Sequence, residues 1–144
     1  MDLAVERIMA RVQQALQTLS GYTVKRMPQY PIGADACPAI VQIDGAEEEP
    51  EPYSGQLLHT ASVTLLLVAR GEDIGTAINA VLRDAWAALI ADRTLGGIAT
   101  DVRRTYVSEP FLDREEGGPL IAMRTVEFEI DYWTDEDDPT VIAA

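Results

Sequence analysis

PLIAMRTVEFEIDYW, residues 119–133, is the stretch that decides the fold. Apolar and polar side chains alternate along it with a period of two, which is the pattern of a strand that has one buried face and one solvated face. The apolar positions are Leu120, Ala122, Val126, Phe128, Ile130 and Tyr132. The polar positions are Thr125, Glu127, Glu129 and Asp131. This strand therefore predicts a sheet with one covered face.

Two other segments carry apolar residues at the spacing of three and four that marks one face of a helix. They cover residues 2–20 and residues 74–90, and we predict a helix over each. Gly21 ends the first helix because glycine adopts the left-handed cap conformation at little cost. Residues 94–97, Thr-Leu-Gly-Gly, end the second helix in the same way.

Runs of β-branched or alternating residues predict the remaining strands. These runs cover residues 22–26, 39–43, 57–69 and 99–107. The resulting order favours an α+β fold with a mostly antiparallel twisted sheet and two main helices packed on one face. We predict a single domain over residues 1–134 and an acidic, disordered tail over residues 135–144.

Residues 44–56 are predicted to form a protruding acidic loop. Pro50 and Pro52 remove backbone donors there, and neighbouring carboxylates repel one another. Those carboxylates belong to Glu47, Glu48, Glu49 and Glu51. A second acidic turn is predicted over residues 113–118, between the last two strands.

The composition limits the choice of partners. The 144 residues include 11 Lys and Arg against 24 Asp and Glu, which gives a formal charge of −13. This charge repels phosphate backbones and anionic membrane surfaces, so we expect neither nucleic acid nor membrane as a partner. The N-terminal residues lack the basic start and apolar core of a signal peptide, and no apolar run reaches the roughly 20 residues of a membrane span. We therefore expect a cytoplasmic protein.

Catalytic, cofactor-binding and metal-binding residues are not predicted. Cys37 is the single cysteine, and nothing beside it is typical of a nucleophile, so a Cys37–His59 pair is disfavoured. The acidic run at residues 135–138 lacks the alternating pattern of a calcium loop. Gly96 and Gly97 follow a helix instead of opening one, which does not suit a phosphate site.

Four arginines concentrate positive charge in this acidic chain. They are Arg93, Arg103, Arg104 and Arg124. We favour internal pairing with Glu127, Glu129 or Asp131 on a neighbouring strand. The alternative is a partner contact, in which the acidic loops of one subunit meet the arginines of the next and close a ring through a heterologous interface.

Two tryptophans complete the candidate residues. Trp86 is predicted in the core, and Trp133 is predicted at the sheet edge as an interface anchor. The full candidate interface between subunits, or between subunit and tube, consists of Glu47, Glu48, Glu49, Glu51, Arg103, Arg104, Asp113, Arg114, Glu115, Glu116 and Trp133.

Three segments carry a family resemblance through their order and spacing. They are ACPAIVQI at 36–43, TLGGIATDVR at 94–103 and GGPLIAMRTVEFEIDYWT at 117–134. Together they resemble the small tail terminator proteins of long-tailed, siphovirus-like bacteriophages and prophages, the minor tail protein U-like family. The resemblance implies a non-catalytic homohexameric ring on the head-proximal end of the tail tube, which stops tube polymerisation and provides the head-joining surface.

The same resemblance implies the partners and the location. The partners would be further copies of the chain, the tail tube protein and a head completion or connector protein. The protein would assemble in the host cytoplasm and end in the neck region of the virion tail. The loops at residues 44–56 and 109–118 would make the ring or tube contacts.

Three alternatives stay open. A head-tail joining or tail completion protein would use a similar small α+β ring subunit. A small-molecule-binding or enzymatic α+β domain would show convergent polar residues in an apolar pocket. An acidic nucleic-acid mimic, suggested only by the net charge, would space carboxylates along one face of a monomer or dimer.

Overall fold

The computed structural model describes residues 2–28, 32–114 and 118–143. Two α-helices and seven β-strands form most of this part of the chain. Their bounds are α1 (Ala4–Gln17), β1 (Thr23–Arg26), β2 (Ala39–Glu47), β3 (Glu51–Tyr53), β4 (Gln56–Arg70), α2 (Ile74–Ile90), β5 (Asp101–Val107), β6 (Phe111–Arg114) and β7 (Leu120–Asp135). One turn of 3₁₀ helix, Ala34–Ala36, lies between β1 and β2.

The strands form one sheet. Its order is β1-β2-β4-β7-β5, with β3 paired to β4 and β6 paired to β7. The β1–β2 pair is parallel, and the other pairs are antiparallel. The predicted α+β fold with a mostly antiparallel sheet is confirmed.

The antiparallel pair β4–β7 forms the centre of the sheet. Its register runs from Gln56 opposite Asp135 to Arg70 opposite Ile121, without a break. Because side chains alternate between faces, Val63 and its partner Phe128 point to the same side, where both are buried. The alternation of residues 119–133 therefore sets the two faces of the whole sheet.

Both helices pack on the face that carries Val63 and Phe128. The buried stripe of α1 includes Ile8, Val12 and Leu16. That of α2 consists of Ile78, Val81, Ala85 and Leu89. These residues form one core with the sheet, and each large apolar side chain contributes about 1.5–3 kcal/mol relative to exposure.

The opposite face of the sheet, here called the helix-free face, carries no described α-helix. A small apolar cluster of Ala39, Val68 and Ile121 lies at one end of it, with Leu66 and Met123 packed alongside. The polar positions of β7 predicted from the sequence occupy the rest of this face. An open sheet face of this kind can receive a partner.

The segment after α2 turns sharply at Leu95, Gly96 and Gly97. All three have positive φ angles, of 49°, 73° and 93°. The Leu95 side chain is completely buried, although a left-handed backbone is costly for leucine. The Asp92 carboxylate accepts a hydrogen bond from the Gly96 amide at 2.9 Å and pairs with Arg11 at 3.0 Å. The turn is thus fixed both by core packing and by an ion pair.

The predicted acidic loop is shorter than expected. β2 continues to Glu47, and β3 covers Glu51 to Tyr53. The Glu48 amide also donates to the Thr60 carbonyl at 3.1 Å. The prediction of irregular structure over residues 44–56 was wrong for these strands because the antiparallel partner β4 satisfies their backbone groups, which outweighs the repulsion between carboxylates.

The C-terminal segment also differs from the expectation of a disordered tail. The Asp135 amide donates to the Val141 carbonyl, and the Ala143 amide donates to the Trp133 carbonyl, both at 3.0 Å. Pro139 accepts from the Ala4 amide at the same distance. Residues 135–143 therefore fold back along the end of β7 and contact the start of α1, because these backbone bonds offset the repulsion between the acidic side chains.

Candidate functional site

Four of the acidic candidates, Glu47, Glu48, Glu49 and Glu51, lie in one short segment along β4. We call residues 47–53 the acidic tip; they include the end of β2 and all of β3. Glu48, Glu49 and Glu51 are exposed, and no described cationic group lies within 4.0 Å of their carboxylates. Their negative charge is therefore uncompensated and available to a partner.

An aromatic pair supports the acidic tip. Tyr53 contacts Trp133 edge to face, with ring centroids 5.5 Å apart and planes at 68°. The Tyr53 hydroxyl donates to the Glu51 carboxylate at 2.8 Å, yet 51% of the residue stays exposed. Trp133 itself is half-buried. The prediction of Trp133 at the sheet edge was wrong, because β7 lies between β4 and β5 in the sheet. Trp133 thus supports the tip from within the same chain, and Tyr53 is the more exposed of the two rings.

Glu47, at the start of the acidic tip, differs from the other glutamates because its carboxylate joins a polar cluster at the end of β4 and β7. Its carboxylate accepts a hydrogen bond from the buried Tyr132 hydroxyl, and burial together with this bond raises the pKa of Tyr132. His59 stacks on the Tyr132 ring at 4.7 Å, and its Nε2 lies 2.7 Å from Thr134 Oγ1. Burial lowers the pKa of His59, while the negative charge of Glu47 opposes this shift. The cluster therefore holds the imidazole by ring stacking and a hydrogen bond, in surroundings that disfavour its charged form.

The pair of Cys37 and His59 does not form. Cys37 packs beside Val68, near one end of β4. His59 lies nine residues earlier on the same strand. At about 3.4 Å per residue these positions are roughly 30 Å apart, which is too far for proton transfer between the two side chains.

Arg103 forms ion pairs within its own chain. Its guanidinium donates to the Asp131 carboxylate and, at 2.7 Å, to Glu129. Hydrogen bonding to Asp131 and Glu129 raises the pKa of Arg103 even though partial burial opposes this. The favoured interpretation of internal pairing is confirmed for Arg103.

Arg104 points to the other face and behaves differently. Its guanidinium carbon lies 4.1 Å from the centroid of the Trp86 ring, in cation–π geometry. Within the described part of the chain, no carboxylate lies within 4.0 Å of it. Its charge is therefore held in place by an aromatic ring and is not neutralised by an acid.

The outer side of α2 forms a shallow apolar groove of about 430 Å³. We call it the α2 groove; it is lined by Asn79, Leu82, Arg83, Trp86, Ala87 and Ile90. Trp86 was predicted in the core, but it is half-buried and forms part of this groove. Arg124 is next to the groove and bonds to Asn79 Oδ1 at 2.7 Å and to the Ser108 carbonyl at 2.8 Å.

The second acidic region is far from the first. Asp113 and Arg114 are exposed on β6, which pairs with β7 near Leu120. β3 lies at the other end of the sheet, beside Gln56 and the end of β7. About 12 residues of β7 separate the two regions, which corresponds to roughly 40 Å. The candidates Glu115 and Glu116 lie outside the described residues.

Sequence reasoning missed a group of exposed apolar side chains around β5 and β6. Phe111 is 61% exposed, Tyr106 is 60% exposed and Leu112 is 54% exposed. Phe111 is opposite Met123 in the sheet register, so it extends the apolar part of the helix-free face. The available signal was the dipeptide Phe111-Leu112 in a segment that also carries a proline and acidic residues.

The described part of the chain shows neither a metal-binding cluster nor a membrane-spanning helix. Within residues 2–28, 32–114 and 118–143, no group of three or more His, Cys, Asp or Glu side chains is arranged to hold a metal ion. The helices described here are too short or too polar to cross a membrane. The chain matches no known family in a scan of family models, and no curated protein matches it either.

Proposed function

We propose that this chain is a non-catalytic structural subunit of a bacteriophage tail. In this proposal it forms a homohexameric ring that caps the head-proximal end of the tail tube, stops tube polymerisation and provides the surface that joins the head. The resemblance of three segments to tail terminator proteins motivates the proposal. Its partners are further copies of itself, the tail tube protein and a head completion or connector protein.

One structural observation supports an assembly role best. The helices cover one face of the sheet only, while large apolar side chains stay exposed on and beside the other face. Phe111 and Tyr106 are opposite Met123 and Glu127 on that face, and each is more than half exposed. Aromatic and large aliphatic residues dominate the binding energy when an interface buries them, so this surface is suited to contact another protein.

The region around β6 is the proposed tube contact. The side chain of Phe111 continues the apolar strip formed by Leu66 and Met123. Placing this strip against a flat, preformed partner would remove it from water without a change in the fold. The acidic tip at the other end of the sheet is then free for contacts within the ring.

The test is to measure mass by light scattering over a protein concentration series and then to image tubes. Tail tubes are assembled from the tube protein encoded in the same phage or prophage genome and incubated with the chain. We expect rings, or caps at one tube end that fix the tube length. A mass that stays monomeric at every concentration, together with uncapped tubes, would refute the proposal.

A variant pair locates the contact. Phe111→Asp places a charge on the exposed strip and should abolish capping while the fold is retained. Leu3→Asp is the matched control because Leu3 is also exposed, at 52%, but lies just before α1. Equal loss of capping in both variants would argue against a specific contact at β6.

A further inference from the structure

We propose that the α2 groove and the acidic tip are the two halves of one head-to-tail contact between copies of this chain. This inference rests on the proposed ring function and names the surfaces that form the ring. The occupant of the groove is the acidic tip of a second copy.

The α2 groove combines an apolar floor with positive charge. Leu82, Trp86 and Ile90 lie along one side of α2, and Ile90 is 42% exposed. Arg104 covers one face of the Trp86 ring without a carboxylate partner among the described residues. Arg83 is strongly exposed, and its one ion pair among the described residues is with its sequence neighbour Asp84 at 3.0 Å. In a chain with a formal charge of −13, this is an unusual concentration of cationic groups beside apolar surface.

The acidic tip has the complementary properties. Glu48, Glu49 and Glu51 carry negative charge that no described cationic group neutralises, and Tyr53 adds an exposed aromatic ring. If Tyr53 entered the α2 groove of a second copy, its ring would contact apolar surface there. The carboxylates of the acidic tip would then lie beside Arg104. Charge complementarity of this kind fixes the orientation of two partners and raises their rate of encounter.

The two halves lie on opposite sides of the central strand pair, as a ring requires. β3 pairs with β4 on the edge away from β7, whereas β5, which carries Arg104, pairs with the outer edge of β7. One subunit can therefore use its acidic tip and its α2 groove at the same time. Two different, non-overlapping patches of this kind define a heterologous contact, which closes into a ring when the rotation between subunits allows it.

The experiment exchanges the charges of the two halves. The tip variant carries Glu48→Lys and Glu49→Lys, and the groove variant carries Arg83→Glu and Arg104→Glu. Each variant alone places like charges together, and we expect about 100-fold weaker self-association, with uncapped tubes. In an equimolar mixture, the unchanged acidic tip of the groove variant can meet the unchanged groove of the tip variant. The lysines of the tip variant can likewise meet the glutamates of the groove variant. We therefore expect the mixture to recover association and capping, in rings of alternating variants.

Several outcomes would overturn the contact. The contact is refuted if the single variants associate and cap tubes like the wild type. It is also refuted if a mixture of the two folded variants fails to recover association. Circular dichroism checks that each variant folds. If the groove variant does not fold, Ala87→Glu replaces it, since Ala87 is exposed and lines the groove. This variant must then show the same loss of self-association and tube capping. Wild-type protein that neither associates nor caps refutes the proposed function itself, whereas wild-type capping with unaffected variants refutes only this contact.

The matched control changes the same number of charges elsewhere. Asp35→Lys with Glu72→Lys alters two exposed acidic residues that lie outside both halves. This control should associate and cap as the wild type does. Loss of association in the control would show that net charge, and not the pairing of tip and groove, governs assembly.

Discussion

Replacing Arg103 with methionine separates a structural role from a partner contact. Arg103 joins β5 to β7 by hydrogen bonds to Glu129 and Asp131. Methionine keeps much of the apolar stem and removes the guanidinium, so that two carboxylates on the same face of β7 lose their shared cation.

The expected loss of stability follows from the exposure of the pair. Two charge-assisted hydrogen bonds would contribute about 1.5–3 kcal/mol each if they were fully buried. However, 38% of the Arg103 side chain and 24% of each carboxylate side chain are exposed, so solvent screening reduces each pair to about 0.2–1 kcal/mol. For the two pairs together, we expect Arg103→Met to lower the free energy of unfolding by about 0.4–2 kcal/mol, which corresponds to about 1–6 °C in melting temperature.

Urea denaturation followed by circular dichroism measures this change. The difference from wild type should shrink in 1 M salt, where the Debye length is about 3 Å. Arg70→Met is the matched control, since Arg70 is exposed and has no carboxylate within 4.0 Å in the described part of the chain; it should stay within about 0.5 kcal/mol of wild type. An Arg103→Met protein of unchanged stability that fails to cap tubes would refute the reasoning and make Arg103 a partner-contact residue.

Three further changes test the core, the turn and the polar cluster. Phe128→Ala removes a ring that is 1% exposed at the sheet centre, and urea denaturation should show a loss of about 3–5 kcal/mol; a loss below 1 kcal/mol would contradict the described core. Gly96→Ala places a Cβ at a φ of +73° and 3.1 Å from Arg11 Nε, so we expect a loss of about 1–2 kcal/mol in the same assay, and a stability equal to wild type would contradict the turn geometry. His59 has a lowered pKa in the fold, so protons bind to this side chain more readily in the unfolded chain and favour unfolding. The stability that neutral His59 allows is therefore fully present above a pH of about 6.5 and is lost as the pH falls toward the folded pKa. His59→Gln should therefore flatten the pH dependence of stability just below that pH, and identical slopes for the two proteins would show that His59 is not buried as described.

Long elements were predictable from the sequence because their own side chains determine them. The alternation in residues 119–133 set the faces of β7, and the apolar spacing at residues 74–90 matched α2. β3 and β6 have only three and four residues, and their formation depends on ladders with β4 and β7. The exposed pattern of these two short strands carries no period that could have revealed them.

The candidate site was predictable in its charges but not in its pairings. Arg103 and Arg104 are neighbours in sequence, and only the register with β7 shows that one faces Glu129 and the other lies opposite Phe128. Trp86 follows the apolar spacing of the helix. That spacing does not distinguish a position in the core from a half-buried position at the margin of the apolar face. Its place beside Arg104 became visible only once β5 was positioned against α2.

If the chain forms the proposed ring, its charge distribution would allow both a free subunit and an assembled ring to exist. Two copies with a formal charge of −13 repel each other at long range, so random collisions are unproductive. At physiological salt the Debye length is about 8 Å, so this repulsion weakens near contact and local surfaces decide the outcome. An approach that brings the α2 groove of one copy toward the acidic tip of another would replace repulsion with attraction. In the proposed ring, net charge would therefore suppress unspecific association, and the arginines of the α2 groove would select the orientation in which copies meet.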